Sequence, residues 1–230
     1  MSLIVHKYGG TSMGSTERIK NVARRVAKWH DAGHQIVVVP SAMSGETNRL
    51  LGLAKEITPS PDPRELDMLA STGEQASVAL LAIALQSIGK QAVSYTGWQV
   101  PVVTDNAYTK ARIQSIDDAK VRKDLDAGRI VIITGFQGID GDGNITTLGR
   151  GGSDTSAVAV AAALKAAANH ALRRRLAPRP IQQRPRHRLA DVDVGFDLLQ
   201  LRLLRQLGAL DLGVLLGLPL CQGRVALRLL

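Results

Sequence analysis

Residues 35–48 read QIVVVPSAMSGETN, and this stretch decides the fold. QIVVVP is a continuous β-branched run, the pattern of a strand buried on both faces, which is the mark of a parallel sheet. A cluster of small hydroxyl residues, SAMSGETN, follows at its carboxyl end, where open α/β sheets bind their ligands. The same order recurs upstream. Residues 3–8 form a short apolar strand, and KYGGTS (residues 7–12) supplies a glycine turn at its end. Ser15 is placed to cap a helix whose Ile19, Val22, Ala23 and Val26 share one face, and Gly33 is placed to stop it. Downstream, a helix is expected over 48–57, then a proline-rich loop (SPDP, 60–63). Glu74 is expected to open a long Ala/Leu-rich helix ending near Gly89. Strands are expected at 91–95, 100–104 and 129–134 (RIVIIT), with an exposed charged helix at 117–127. DGDGN (140–144) reads as a tight turn between two short strands, and 153–168 as an Ala-rich helix. Buried strands alternating with helices predict an α/β fold, a three-layer αβα sandwich around a largely parallel central sheet.

Composition narrows the function classes. The 45% apolar content suffices for a sizeable core, and a lone cysteine, Cys221, rules out a disulfide framework and a Cys-rich zinc site. MSLIVHKYGG does not have the form of a signal peptide, and no run approaches the roughly 18 to 20 apolar residues of a membrane helix. The expectation is a cytoplasmic protein with no membrane partner. The net charge of +9 would suit nucleic acid, but it is unevenly placed. Residues 171–230 hold 11 Arg and 4 Asp with no Lys or Glu, which is +7. The other 170 residues then hold 18 basic and 16 acidic groups, which is +2. A nucleic-acid partner is therefore not expected of the folded part.

Four motifs carry the chemistry. In KYGGTS the glycines let backbone N–H groups approach an anion and Lys7 adds a point charge, although a strand-ending turn with a solvated lysine would look the same. SAMSGETN offers hydroxyls to a polar ligand, or an ordinary helix cap. STGEQ (71–75) puts Glu74 at an expected helix start, where it could bind an ammonium group or merely cap the helix. TTLGRGGSDTSA (146–157) is the most specific: glycines and Arg150 precede a helix whose first turn holds Ser153, Asp154 and Thr155. Capping explains Ser153 and Asp154 but not Gly-Arg-Gly-Gly, which suits a carboxylate or phosphate.

These four motifs, in this order and with GFQGID before the turn, resemble the aspartokinase branch of the amino-acid kinase family over about residues 1–165. The resemblance implies the amino-acid kinase fold and transfer of a phosphoryl group from ATP, with Mg2+, to the side-chain carboxylate of L-aspartate. That reaction opens lysine, threonine and methionine synthesis. It implies catalytic roles for Lys7 and Asp154. It implies ATP phosphate contacts from Lys7, Gly9, Gly10, Ser41 and Ser153. Aspartate contacts would come from Thr47, Glu74, Arg150, Gly151, Gly152 and Ser153, with Glu74 on the ammonium and Arg150 on a carboxylate. No protein side chain is assigned to a metal. A homo-oligomer is expected from the intact family.

Residues 1–168 are accordingly read as the substrate-binding part of the kinase domain, with the C-terminal part of the fold incomplete. Residues 169–230 read differently, with 18 Leu and 11 Arg from residue 171 onward and no Ser, Thr, Lys, Glu, Tyr, Trp or Met. The family's tyrosine- and aspartate-bearing nucleotide loop has no match there. The Asp-Val-Asp-Val-Gly echo at 191–195 lacks its flanking Tyr and Thr. A lost reading frame near residues 166–169 accounts for this composition. A basic segment that binds RNA or an acidic partner is the alternative, although one aromatic, Phe196, makes a poor stacking platform. The chain then reads either as an aspartokinase or as a non-catalytic remnant that binds aspartate or an intact subunit.

Overall fold

Val37, Val38 and Val39 are wholly buried, as a central parallel strand requires. The computed structural model describes residues 2–166 and the backbone of residues 168–172. In chain order the elements are β1 (Leu3–Tyr8), α1 (Thr16–Asp31), β2 (Gln35–Pro40), α2 (Glu46–Ile57), α3 (Pro63–Gln86), β3 (Ala92–Tyr95) and β4 (Val102–Thr104). They continue with β5 (Ile113–Ile116), α4 (Ala119–Asp126), β6 (Ile130–Ile133), β7 (Gln137–Ile139), β8 (Ile145–Thr147), α5 (Gly152–Ala163) and β9 (Ala168–Leu172).

The main sheet runs β3-β6-β2-β1-β9, and every pairing in it is parallel. Its two faces divide the strand residues by parity, because successive side chains point to opposite sides. Ile4, Tyr8, Ile36, Val38, Ile130 and Ile132 pack with Ile19, Val22 and Val26 of α1 and with Val78, Leu81 and Leu85 of α3. Val5, Val37, Val39, Val131 and Ile133 pack with Val121 and Leu125 of α4 and with Ala157, Val160 and Leu164 on and after α5. The three-layer αβα arrangement follows.

Local signals behave as their chemistry predicts at α1. Ser15 Oγ accepts from the Arg18 N–H at 3.3 Å, and Gly33 takes the left-handed conformation (φ +85°) just past the helix end. Four expectations need correction. Glu74 does not open a helix. α3 runs unbroken from Pro63, because Asp62 caps it through the N–H groups of Arg64 and Glu65 with proline at the first turn. The unpromising Ser71-Thr72-Gly73 step is carried inside it, with both hydroxyls bonded to carbonyls three residues back. α3 is also long and apolar enough, by length and composition, to cross a membrane. Half of that stretch is buried within the fold, so the apolar content serves the core.

The third correction is a second sheet of mixed direction, β5-β4-β7-β8, in which β4 and β7 run parallel and the outer pairs antiparallel. Gly138 makes it possible, since a Cβ there would lie 2.4 Å from the Val102 carbonyl oxygen. Fourth, the Ala-rich helix ends at Ala163, and residues 168–172 form β9, which pairs with β1 from Ile4↔Ala168 to Tyr8↔Leu172. This strand crosses the boundary expected after residue 168. The expectations for the Arg/Leu-rich segment from residue 173 onward lie outside the described residues.

Candidate active site

Lys7 is the last but one residue of β1, and its side chain emerges on the α5 face at the carboxyl end of the sheet. Its Nζ lies 2.8 Å from Asp154 Oδ1. Both side chains are largely buried, at 10% and 18% exposure, so the pair sits in a poorly solvated place where charge interactions are strong. A Cβ on Gly9 would come within 3.7 Å of the Lys7 Nζ, and one on Gly10 would meet the Ala42 carbonyl oxygen at 2.9 Å. The glycine turn thus lies tight against the end of β2. The Ser41 N–H donates to the Tyr8 carbonyl at 2.8 Å, which locks the two strand ends together.

Glu74 lies at the centre. It projects from the middle of α3 and is 3% exposed. Its Oε1 accepts from the Ala42 N–H at 3.1 Å and from Ser153 Oγ at 3.1 Å. Its Oε2 is buried with no partner among the described residues. Burial pushes its pKa up from 4.5 to about 7, against the opposing pull of the Ala42 N–H, the Ser153 hydroxyl and the Lys7 charge. Gly73 permits this approach, because its added Cβ would stand 3.1 Å from the Ala42 Cβ.

Ser153 and Asp154 belong to the first turn of α5, entered through Gly151 in the left-handed conformation (φ +77°). Gly135, after β6, packs against this turn so closely that a Cβ would lie 2.9 Å from Ser153 Cα. Gly152 is equally constrained, with Leu148 Cβ and Phe136 Cδ2 each 2.9 Å from a built Cβ.

The fold therefore brings together Lys7, Gly9, Gly10, Ser41, Glu74, Ser153 and Asp154. Thr47 stands half-buried in the first turn of α2. Arg150 is exposed just ahead of α5 and makes no hydrogen bond or ion pair among the described residues. Two contributors were missed by sequence reasoning. One is the backbone N–H of Ala42, which no side-chain pattern reveals. The other is Asp67, one of a series of polar residues (Asp67, Ser71, Glu74, Ser77) that recur at helical spacing on the buried face of α3. That polar stripe on an apolar face was a usable signal.

The arrangement offers a cation, a half-satisfied buried carboxylate, a hydroxyl and several glycine-lined backbone approaches at the carboxyl ends of β1 and β2. Such a set can hold an ammonium group beside an anionic one. Residues 2–169 match the model of the amino acid kinase family. An aspartokinase of Pseudomonas aeruginosa is 64% identical over 166 residues, which is 72% of this chain and 40% of that protein. A crystal structure of aspartate kinase from Synechocystis is 48% identical with a TM-score of 0.64, covering 74% of this chain and 28% of that one. The structure of E. coli aspartokinase III in complex with aspartate and ADP is 26% identical with a TM-score of 0.66, covering 74% and 48%. The chain thus spans about 40% of the length of the curated relative. It belongs to the amino acid kinase family, and the curated relative described above is an aspartokinase.

Proposed function

We propose that this chain is the aspartate-binding part of an aspartokinase, which transfers a phosphoryl group from ATP to the side-chain carboxylate of L-aspartate, giving 4-phospho-L-aspartate and ADP. The observation that carries this reading is the unpartnered Oε2 of Glu74, buried beside the Lys7–Asp154 pair. A buried carboxylate oxygen without a donor is costly, and an incoming ammonium group would remove that cost. Glu74 then fixes the amino group of the substrate. Arg150, exposed at the entrance with its guanidinium uncommitted, grips a substrate carboxylate, and Thr47 and the Gly151-Gly152 backbone complete the cradle.

The nucleotide side rests on Lys7, Gly9, Gly10, Ser41 and Ser153. The tight glycine turn fits phosphate oxygens, since it runs close to the Lys7 ammonium, 3.7 Å from where a Cβ on Gly9 would stand. Asp154 holds Lys7 in place until a phosphoryl group draws it off. The acceptor carboxylate is ionised at neutral pH and needs no general base, so the residues act by positioning and by neutralising charge. Among the described residues no group of three or more His, Cys, Asp or Glu is arranged to hold a metal. Mg2+ would arrive with the nucleotide phosphates. The same reading makes the protein a cytoplasmic, homo-oligomeric enzyme at the entrance to lysine, threonine and methionine synthesis. It takes residues 1–168 as the substrate-binding part and 169–230 as a segment of separate character. A second reading is aspartate binding without turnover, since residues 169–230 hold no match to the family's tyrosine- and aspartate-bearing nucleotide loop.

The test is calorimetric titration of the full chain with L-aspartate, beside ADP formation with Mg-ATP. Saturable aspartate binding is expected, weakened about 10- to 100-fold by Arg150→Ala and by Glu74→Gln, the loss of one charge-assisted contact each. L-glutamate should compete weakly. A folded wild-type chain that binds no aspartate would sink the proposal, and binding without ADP formation would select the second reading.

A further inference from the structure

A separate recess lies on the opposite face of the sheet from Lys7. It encloses about 220 Å³ between the glycine turn and α1, and its lining includes Tyr8, Thr11, Ser12, Arg18, Asn21 and Arg25. Alternation along β1 is the cause of the separation: Lys7 points to the α5 layer and Tyr8 to the α1 layer. On α1, Arg18, Asn21 and Arg25 recur at i, i+3 and i+7, so helical spacing stacks them along one flank.

The recess has an excess of positive charge and an unused donor. Arg18 Nη1 donates to the Thr11 carbonyl at 2.6 Å, which leaves its other N–H groups available. Arg25 is exposed and makes no hydrogen bond or ion pair among the described residues. The acidic residue on this helix turn, Glu17, pairs instead with Arg24 at 3.5 Å. Tyr8 is 1% exposed, and its Oη has no hydrogen-bond partner among the described residues. Burial pushes that hydroxyl up to about 12, with the Arg25 charge working against the rise, so at neutral pH it is a donor. A buried phenol normally finds a partner.

We propose that this recess binds a small phosphate-type oxyanion, with Arg18 and Arg25 supplying the charge and the Tyr8 hydroxyl donating from its floor. Two guanidinium groups with no carboxylate to neutralise them, together with a neutral donor, match a tetrahedral oxyanion better than a cation or an apolar group. The assignment is independent of the kinase reading, because it uses none of the residues placed on aspartate or ATP by side-chain contact.

The test uses the full chain and two probes, inorganic phosphate and glycerol 3-phosphate, followed by calorimetry and by NMR of the Tyr8 ring and the arginine side chains. Saturable binding is expected, with shifts centred on Tyr8 and Arg25. Arg25→Gln should weaken it about tenfold and Tyr8→Phe several-fold, the latter removing only the hydroxyl. Saturating ATP should leave the Tyr8 and Arg25 shifts in place. Whichever probe binds more tightly identifies the source of the oxyanion as free phosphate or an ester. Absence of binding at millimolar probe would overturn the proposal. So would binding that both variants leave unchanged, or that ATP displaces, since either would put the anion at the glycine turn beside Lys7. Thermal melting of both variants guards against a folding artefact. A loss of phosphate-induced stabilisation, with the ligand-free midpoint unchanged, is the expected signature.

Discussion

Asp67 and Glu74 sit two turns apart on one helix, both carboxylates and both buried, at 1% and 3% exposure. Their surroundings treat them oppositely. Asp67 accepts three hydrogen bonds: from the Thr109 and Thr147 N–H groups at 2.8 Å each on Oδ2, and from Thr147 Oγ1 at 2.6 Å on Oδ1. Glu74 accepts two on one oxygen, while the other is left bare. Burial raises the pKa of both, but at Asp67 three donors act against it on both oxygens. A fully satisfied carboxylate stitches structure, here α3 to β8 and to the loop at Thr109. On the function proposed above, the half-satisfied one is left for the substrate's ammonium group.

The comparison breaks most visibly at Asp67. Replacing it with alanine would strand two backbone N–H groups and a hydroxyl in the interior, where each unmet donor costs about 1 to 3 kcal/mol. Asp67→Ala should therefore lower unfolding free energy by about 3 to 5 kcal/mol in urea denaturation, whether or not a ligand is present. A loss under 1 kcal/mol would mean that the network does not hold α3 to the second sheet.

How much of this was readable beforehand depended on which force wrote the signal. The parallel core was legible because β-branched runs such as 35–40 and 129–134 leave no polar face. The glycine and hydroxyl clusters followed these strands in the sequence, and the fold brings Lys7, Ser41, Ser153 and Asp154 to one place. Glu74 was singled out but placed at a helix start. Ser-Thr-Gly looks like a break, and only the tertiary contact of Gly73 with Ala42 explains why the helix runs through it. β4, β5 and β7 are three or four residues each. Such short strands carry almost no periodicity and are defined by their pairing partners. Asp67 was missed because its partners are backbone groups 42 and 80 residues away.

pH separates the two carboxylates by a somewhat smaller effect. The folded-state pKa of Glu74, about 7, exceeds its ordinary 4.5. The folded protein therefore holds this proton more tightly than the unfolded chain. The resulting stability is fully present below pH 4.5 and is lost as pH rises through 7. The loss is roughly 3 kcal/mol. Glu74→Gln, which cannot titrate, should flatten that part of the stability curve, measured by urea denaturation from about pH 4 to about pH 8. Aspartate affinity should move the other way, rising as Glu74 ionises and can meet an ammonium group. If the Gln variant keeps the full slope, the half-satisfied site is not at Glu74.

The smallest effect is the most discriminating. Ser153 Oγ is one of two donors on Glu74 Oε1 among the described residues, and it reaches there because α5 starts tight against Gly135. Ser153→Ala removes that donor without disturbing Asp154 or the Lys7 pair, which depend on the next residue. The ionised form of Glu74 loses a stabilising contact, so its pKa should rise further above 7, and the variant should lose about 1 kcal/mol at a pH where Glu74 is charged. At a pH where Glu74 is protonated the loss should be smaller, because the neutral carboxyl depends less on its donors. Carbon NMR titration of the Glu74 carboxyl reads the first effect and urea denaturation at both ends of the titration reads the second. A pKa that stays put would mean that the Ala42 N–H alone sets the charge on Glu74. Ser153 would then face the nucleotide rather than the amino group of the substrate.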